Sequence, residues 1–119
     1  MDYHIVFTTK DRLGMIDFDM LGKIRDYAGH KSREIGFVVH ILNGYKDHIH
    51  ILLSIPPKFA VSDIVKHIKG YSSRMIPEIT WQEGFGAYTV DKDSFDRIFY
   101  YIKNQWEHHS VNNGLIDFE

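Results

Sequence analysis

The chain has 119 residues, 44% of them hydrophobic and 25% charged, with a formal net charge of −2. That balance fits one soluble globular domain over residues 1–119 and excludes a disordered or low-complexity chain; the mild acidity argues against broad attraction to duplex nucleic acid, so any DNA or RNA contact has to be local. Cysteine is absent, which excludes disulfides and thiolate zinc sites, and the lack of a bilayer-length apolar run or signal-peptide pattern predicts a cytoplasmic protein with no membrane partner.

In chain order, Tyr3 to Thr9 alternates aromatic and β-branched residues and predicts a central strand that ends at Lys10-Asp11-Arg12, before Gly14. A helix is expected from Asp17 or Asp19, with Met20, Leu21, Ile24, Tyr27 and Ala28 at helical spacing as far as residues 32–36. Phe37 to Leu42 predicts a second strand, and Asn43-Gly44 a tight reversal, through Tyr45-Lys46-Asp47, into a third strand at His48. Pro56-Pro57 stops that strand, and Ser62 is expected to cap a second helix carrying Ile64, Val65, Ile68, Tyr71 and Met75 on one side. Gly84 and Gly86 lead into a short strand over Ala87 to Val90, and a last helix opens at Asp93 or Ser94. The order predicts an α+β fold: a ferredoxin-like βαββαβ antiparallel sheet with an appended C-terminal helix.

The third strand asks for two environments. Ile49, Ile51, Leu53 and Ile55 line one face and predict core; His48, His50, Leu52 and Ser54 line the other. Two imidazoles about 6–7 Å apart along a strand can converge on one metal ion or phosphate, although paired histidines on an exposed sheet face are common without any ligand. In the last helix, Phe95, Ile98, Phe99, Ile102 and Trp106 fall on one stripe roughly 100° wide, the expected docking face. Tyr101, Gln105 and His108 share one flank of that stripe, while Tyr100 and Asn104 lie nearly opposite and are expected to be exposed. The imidazoles and the Gln105 amide could hold a divalent cation against a phosphate, with the Tyr101 phenol as nucleophile. Attack through a phenol conserves the phosphodiester energy in a covalent intermediate, which suits cutting followed by resealing. The run Lys66 to Arg74 carries phosphate-capable donors, but a solvated helix face explains it equally well. His4 and His40 are expected on strands beside the site in structural or supporting roles, His30 and His67 on the surface.

Several segments together resemble the single-tyrosine HUH transposases of the smallest bacterial insertion sequences. His48-Ile49-His50 looks like the family's His-hydrophobic-His motif, and Tyr101-Ile102-Lys103-Asn104-Gln105 like its tyrosine helix. His4 to Lys10 resembles the first strand, Lys69-Gly70-Tyr71-Ser72-Ser73-Arg74 the second-helix motif, and Trp81 to Ala87 the segment before the last strand. Asn104 to His109 is similar to the branch that includes REP-associated tyrosine transposases.

The resemblance implies metal-dependent cleavage and strand transfer of single-stranded DNA. Tyr101 would form a 5′-phosphotyrosine, and His48, His50 and Gln105 would bind Mg²⁺ or Mn²⁺. It implies a homodimer, in which the tyrosine helix acts on its own or its partner's histidines, and DNA hairpin ends of a mobile or repeat element as substrate. Lys10, Arg12, Lys66, Lys69 and Arg74 are the expected DNA-backbone contacts. The chain opens directly in the first strand and ends fourteen residues after Gln105, unlike the longer ends of many relatives, so trimmed termini are expected. The competing expectation is a catalytically silent ferredoxin-like module that binds single-stranded nucleic acid through its open sheet face.

Overall fold

The alternation of β1 (Asp2–Thr8) and β3 (His48–Ser54) sets the architecture, because both strands present an unbroken apolar face to the same side. The two are adjacent and antiparallel, with Ile5 opposite Ile51 and Phe7 opposite Ile49. β2 (Val38–Tyr45) and β4 (Gly86–Val90) flank them to give the order β2-β3-β1-β4, every neighbouring pair antiparallel. This computed structural model describes residues 1–106, and its order is that of a ferredoxin-like sheet.

Helices α1 (Phe18–Ile35) and α2 (Val61–Met75) cover the isoleucine face. Leu21, Ile24 and Ala28 from α1 and Ile64, Val65 and Ile68 from α2 bury with Ile5, Phe7, Ile49, Ile51 and Leu53 into the main core. The start of α1 follows its capping chemistry: the Asp17 carboxylate accepts the Met20 N–H at 2.8 Å, and Gly36 closes the helix with a left-handed φ of 105°. The expected Ser62 cap of α2 is not what forms. The chain turns after Pro56-Pro57, and the Ala60 carbonyl already accepts from Asp63 and Ile64, so the helix starts one residue before Ser62.

The hairpin also differs from expectation. β2 runs on through Asn43, Gly44 and Tyr45, and the reversal falls at Lys46-Asp47. Both turn carbonyls are held from outside the hairpin, Lys46 O by the Ile16 N–H and Asp47 O by the Thr9 N–H, each at 2.9 Å. Gly44 serves the ladder instead of the turn: a Cβ there would lie 2.2 Å from the His48 carbonyl oxygen. Helix α3 (Phe95–Lys103) lies on the other sheet face, where Ile102 buries against Leu52 and Val90, with Phe95, Ile98 and Phe99 around them. Trp106 leaves the predicted stripe. The helix ends at Lys103, and beyond Asn104 the indole packs edge-on to Phe18 and Tyr45, with ring centroids 5.6 and 5.0 Å away.

Candidate active site

His48 and His50 project from β3 to the face away from α1 and α2, and α3 closes over them, leaving each 3% exposed. Their rings stand 5.2 Å apart at 89°. Buried polar groups need partners, and the neighbouring residues supply them. His48 Nδ1 lies 2.7 Å from the Asp47 carboxylate, which also accepts from Arg12 Nε at 3.1 Å. Burial works to raise the Asp47 carboxyl pKa, but the hydrogen bonds from His48 and Arg12 outweigh it and hold the carboxyl below the ordinary range. Arg12 reaches Asp47 from a short turn in which Asp11 and Arg12 both adopt left-handed φ, 56° and 53°, a costly backbone that the Asp11 N–H to Gln82 Oε1 bond of 3.1 Å helps to hold.

Gln105, 1% exposed, faces His48 from α3's end. Its Nε2 donates to the Tyr101 carbonyl at 3.2 Å, which turns Oε1 toward His48 Nε2 at 3.4 Å. His48 Nε2 and Gln105 Oε1 thus face each other, with the imidazole held at its other nitrogen by Asp47. Metal–ligand bonds of about 2.1 Å at octahedral or tetrahedral angles place adjacent donors about 3.0–3.4 Å apart. The pair therefore fits a divalent ion, with Asp47 as the outer partner that orients the imidazole. His50 Nδ1 lies 2.9 Å from His4 Nε2, and the two rings stack at 5.1 Å. Burial, with the His50 charge beside it, lowers the His4 pKa to about 4, so His4 is neutral at physiological pH. Among the described residues no group of three His, Cys, Asp or Glu side chains is placed to hold an ion, and the side-chain oxygen facing His48 Nε2 is that of the Gln105 carboxamide.

Tyr101, half-buried, stands edge-on to His50 at 5.6 Å and to His4 at 6.3 Å between centroids, whereas Tyr100 points to solvent. One chain thus brings together Tyr101, Gln105, His48 and His50. Helix α3 is held in place by the Asn43 side chain, whose Nδ2 donates to the Lys103 carbonyl at 2.8 Å.

A family model described as "Transposase IS200 like" matches residues 1–105. The chain belongs to this family of transposases. It is 32% identical over 136 residues to the transposase of insertion sequence element IS200 from Salmonella typhimurium, an alignment covering 95% of this chain and 82% of the relative. It is 26% identical over 117 residues to the ISDra2 transposase TnpA of Deinococcus radiodurans, covering 88% and 84%. Among solved structures, a Deinococcus radiodurans protein assigned as a transposase superposes with a TM-score of 0.71 at 24% identity, covering 89% of this chain and 91% of that one. A REP-associated tyrosine transposase bound to a REP hairpin gives 0.73 at 14% identity, covering 97% and 69%; at these identities the two show the shared fold.

The transposase does not gather its expected cationic residues on one surface. Lys10 and Arg12 flank the His48 end of the site. Lys66 and Lys69 line a cavity of about 660 Å³ between α2 and residues 79–85, on the side of the core helices. There Lys69 Nζ donates to the Gln82 and Gly84 carbonyls at 2.8 and 2.7 Å, and burial lowers its pKa against the opposing pull of Glu83. Arg74 lies over the Tyr71 ring at 5.4 Å. Of the remaining histidines, His4 is beside the site, but His40 pairs with Ser54 Oγ at 2.6 Å, toward the opposite end of β3, with Ser54 bonding in turn to Asp2. His30 and His67 are exposed, and His108 lies outside the described residues. The sequence reading passed over Asp47, although its position directly before His48 in the turn was the available signal.

Proposed function

We propose that this transposase cuts and rejoins single-stranded DNA through Tyr101, with Mg²⁺ or Mn²⁺ held by His48, His50 and Gln105. The observation that carries this is the approach of the Gln105 carboxamide to the His48 imidazole, Oε1 to Nε2 at 3.4 Å, one helical turn from a tyrosine set edge-on to His50. When bound, a divalent ion supplies positive charge against the scissile phosphate as negative charge develops there. Asp47 orients His48, and His4 fixes the ring of His50. The Tyr101 phenol gives up its proton and its oxygen attacks phosphorus. The bond from phosphorus to the 3′ oxygen breaks, that oxygen takes a proton to become a 3′-OH, and the 5′ side stays on the chain as a phosphotyrosine. Attack by another 3′-OH reverses the step on a new strand.

Family membership and the hairpin carried by a structural relative support DNA hairpin ends of a mobile or repeat element as the substrate class. Lys10 and Arg12, exposed at the His48 end, are the DNA-backbone contacts this reading favours over the three on α2. A homodimer is the working unit in this reading. The Tyr101 helix docks on its own sheet, which sets Tyr101 beside the histidines of the same chain; an exchange of this helix between the two chains of the dimer would build the same site. The test is incubation of purified protein with a single-stranded DNA hairpin and Mn²⁺, followed by denaturing electrophoresis. A covalent protein–DNA adduct that vanishes in Tyr101→Phe is expected; retarded DNA without an adduct would favour the catalytically silent binding module.

A further inference from the structure

The site face of the sheet is covered unevenly. Helix α3 packs on β2 and β3 and meets β4 at Val90. Further along that face, opposite His4 in the β1–β4 ladder, Tyr88 is 60% exposed. Its ring lies across Gly86: a Cβ on that glycine would sit 3.2 Å from Tyr88 Cε2 and 3.3 Å from its hydroxyl oxygen. The absence of a side chain at 86 thus lets an aromatic ring lie along the strand with its other face toward solvent. Together with Phe85, Val6, Thr8 and Glu83 this ring lines a hollow of about 270 Å³. The hollow lies beside the site, since the Tyr88 and His4 ring centroids are 6.0 Å apart and His4 in turn meets His50 and Tyr101.

The chemistry of the hollow selects its occupant. Among the described residues lining it there is no cation, so it offers nothing to a phosphate; Glu83 is its one charged group. What it offers is an aromatic floor and an apolar wall, which suits the flat face of a nucleobase. We infer that this hollow seats one unpaired nucleobase of the DNA strand whose phosphate lies at Tyr101, with Tyr88 as its stacking floor. The inference rests on the single-strand cleavage reading above and adds to it a contact that registers the strand relative to the cut.

The test uses the full chain with Mn²⁺ and a pool of DNA hairpins whose single-stranded flanks are randomised. In Tyr88→Ala the DNA concentration for half-maximal adduct formation should rise ~5- to 100-fold, the loss of one base stacked on an aromatic ring. Tyr88→Trp, which keeps an aromatic floor, should restore the affinity. Flanks carrying 5-iododeoxycytidine should photocross-link to Tyr88 or Phe85. An unchanged half-saturation in Tyr88→Ala, or cross-links that avoid residues 85–88, with the adduct still forming, overturns the base seat and leaves Tyr101 chemistry standing. No adduct from the parent protein overturns the cleavage reading and the base seat with it.

Discussion

Gly44→Ala is the substitution for which the structure gives the clearest magnitude. The new Cβ would lie 2.2 Å from the His48 carbonyl oxygen and 3.1 Å from Ile49 Cα, both backbone atoms that no rotamer change can move aside. Ordinary contact begins near 3.4 Å, so β2 and β3 have to part by roughly 1 Å at this point. Overpacking of this kind costs about 1–3 kcal/mol, and one weakened ladder hydrogen bond adds about 1 kcal/mol. For a chain of this size about 2–4 kcal/mol corresponds to a fall in Tm of roughly 8–16 °C, read by far-ultraviolet circular dichroism. The same displacement carries the His48 ring away from Gln105. A misplacement of about 1 Å at reacting groups is worth about 100-fold in rate, so adduct formation should fall by about that factor at temperatures where the variant is folded. A variant that melts within about 2 °C of the parent and forms adduct at the parental rate would refute the close-approach argument.

Asp47→Ala removes the outer partner of His48 and frees Arg12, and should weaken Mn²⁺ binding about 10- to 100-fold by titration calorimetry while the protein remains folded. The metal-free chain should lose stability in mild acid, because His4 has a folded pKa of about 4 against an ordinary 6.5. Both states are neutral above pH 6.5, where that contribution is fully present; as pH falls from 6.5 toward 4 the unfolded chain takes up the proton first and the contribution is lost. Allowing for the partial exposure of His4, the loss is on the order of 1–2 kcal/mol in urea unfolding and should be absent in His4→Gln.

The fold was legible where the periodicity of one element decided it. The isoleucines of β3 and the apolar stripe of α3 each name a face, and with only two sheet faces available the histidines had to meet the last helix. Tyr101 and Gln105 follow from the same stripe, since their flank is fixed by 100° per residue. What escaped reading depends on partners distant in sequence. Asn43-Gly44 is locally a better turn than Lys46-Asp47, and only the Ile16 and Thr9 amides, which hold the later turn's carbonyls, decide against it. The His4–His50 contact depends on the register between β1 and β3, which no local pattern encodes. Trp106 leaves its stripe because the helix stops at Lys103 and the indole finds Phe18 and Tyr45 instead.

Placing the site beneath a helix sets opposing demands on α3. Two imidazoles and a carboxamide lose their hydration there, a cost of about 1–3 kcal/mol for each group left without a partner. Among the described residues no buried side-chain nitrogen or oxygen is left unpartnered, so Asp47, His4 and the Tyr101 carbonyl offset most of that cost. Such polar networks add little net docking energy, so the hold on α3 comes from the burial of Ile102, Leu52 and Val90 and from the Asn43–Lys103 bond. That hold is much smaller than the core beneath α1 and α2 supplies to the other face. With one buried apolar residue against three each in α1 and α2, α3 is therefore the helix whose displacement from the sheet costs least, and Tyr101 sits half-exposed on the side where Tyr88 of β4 is left exposed.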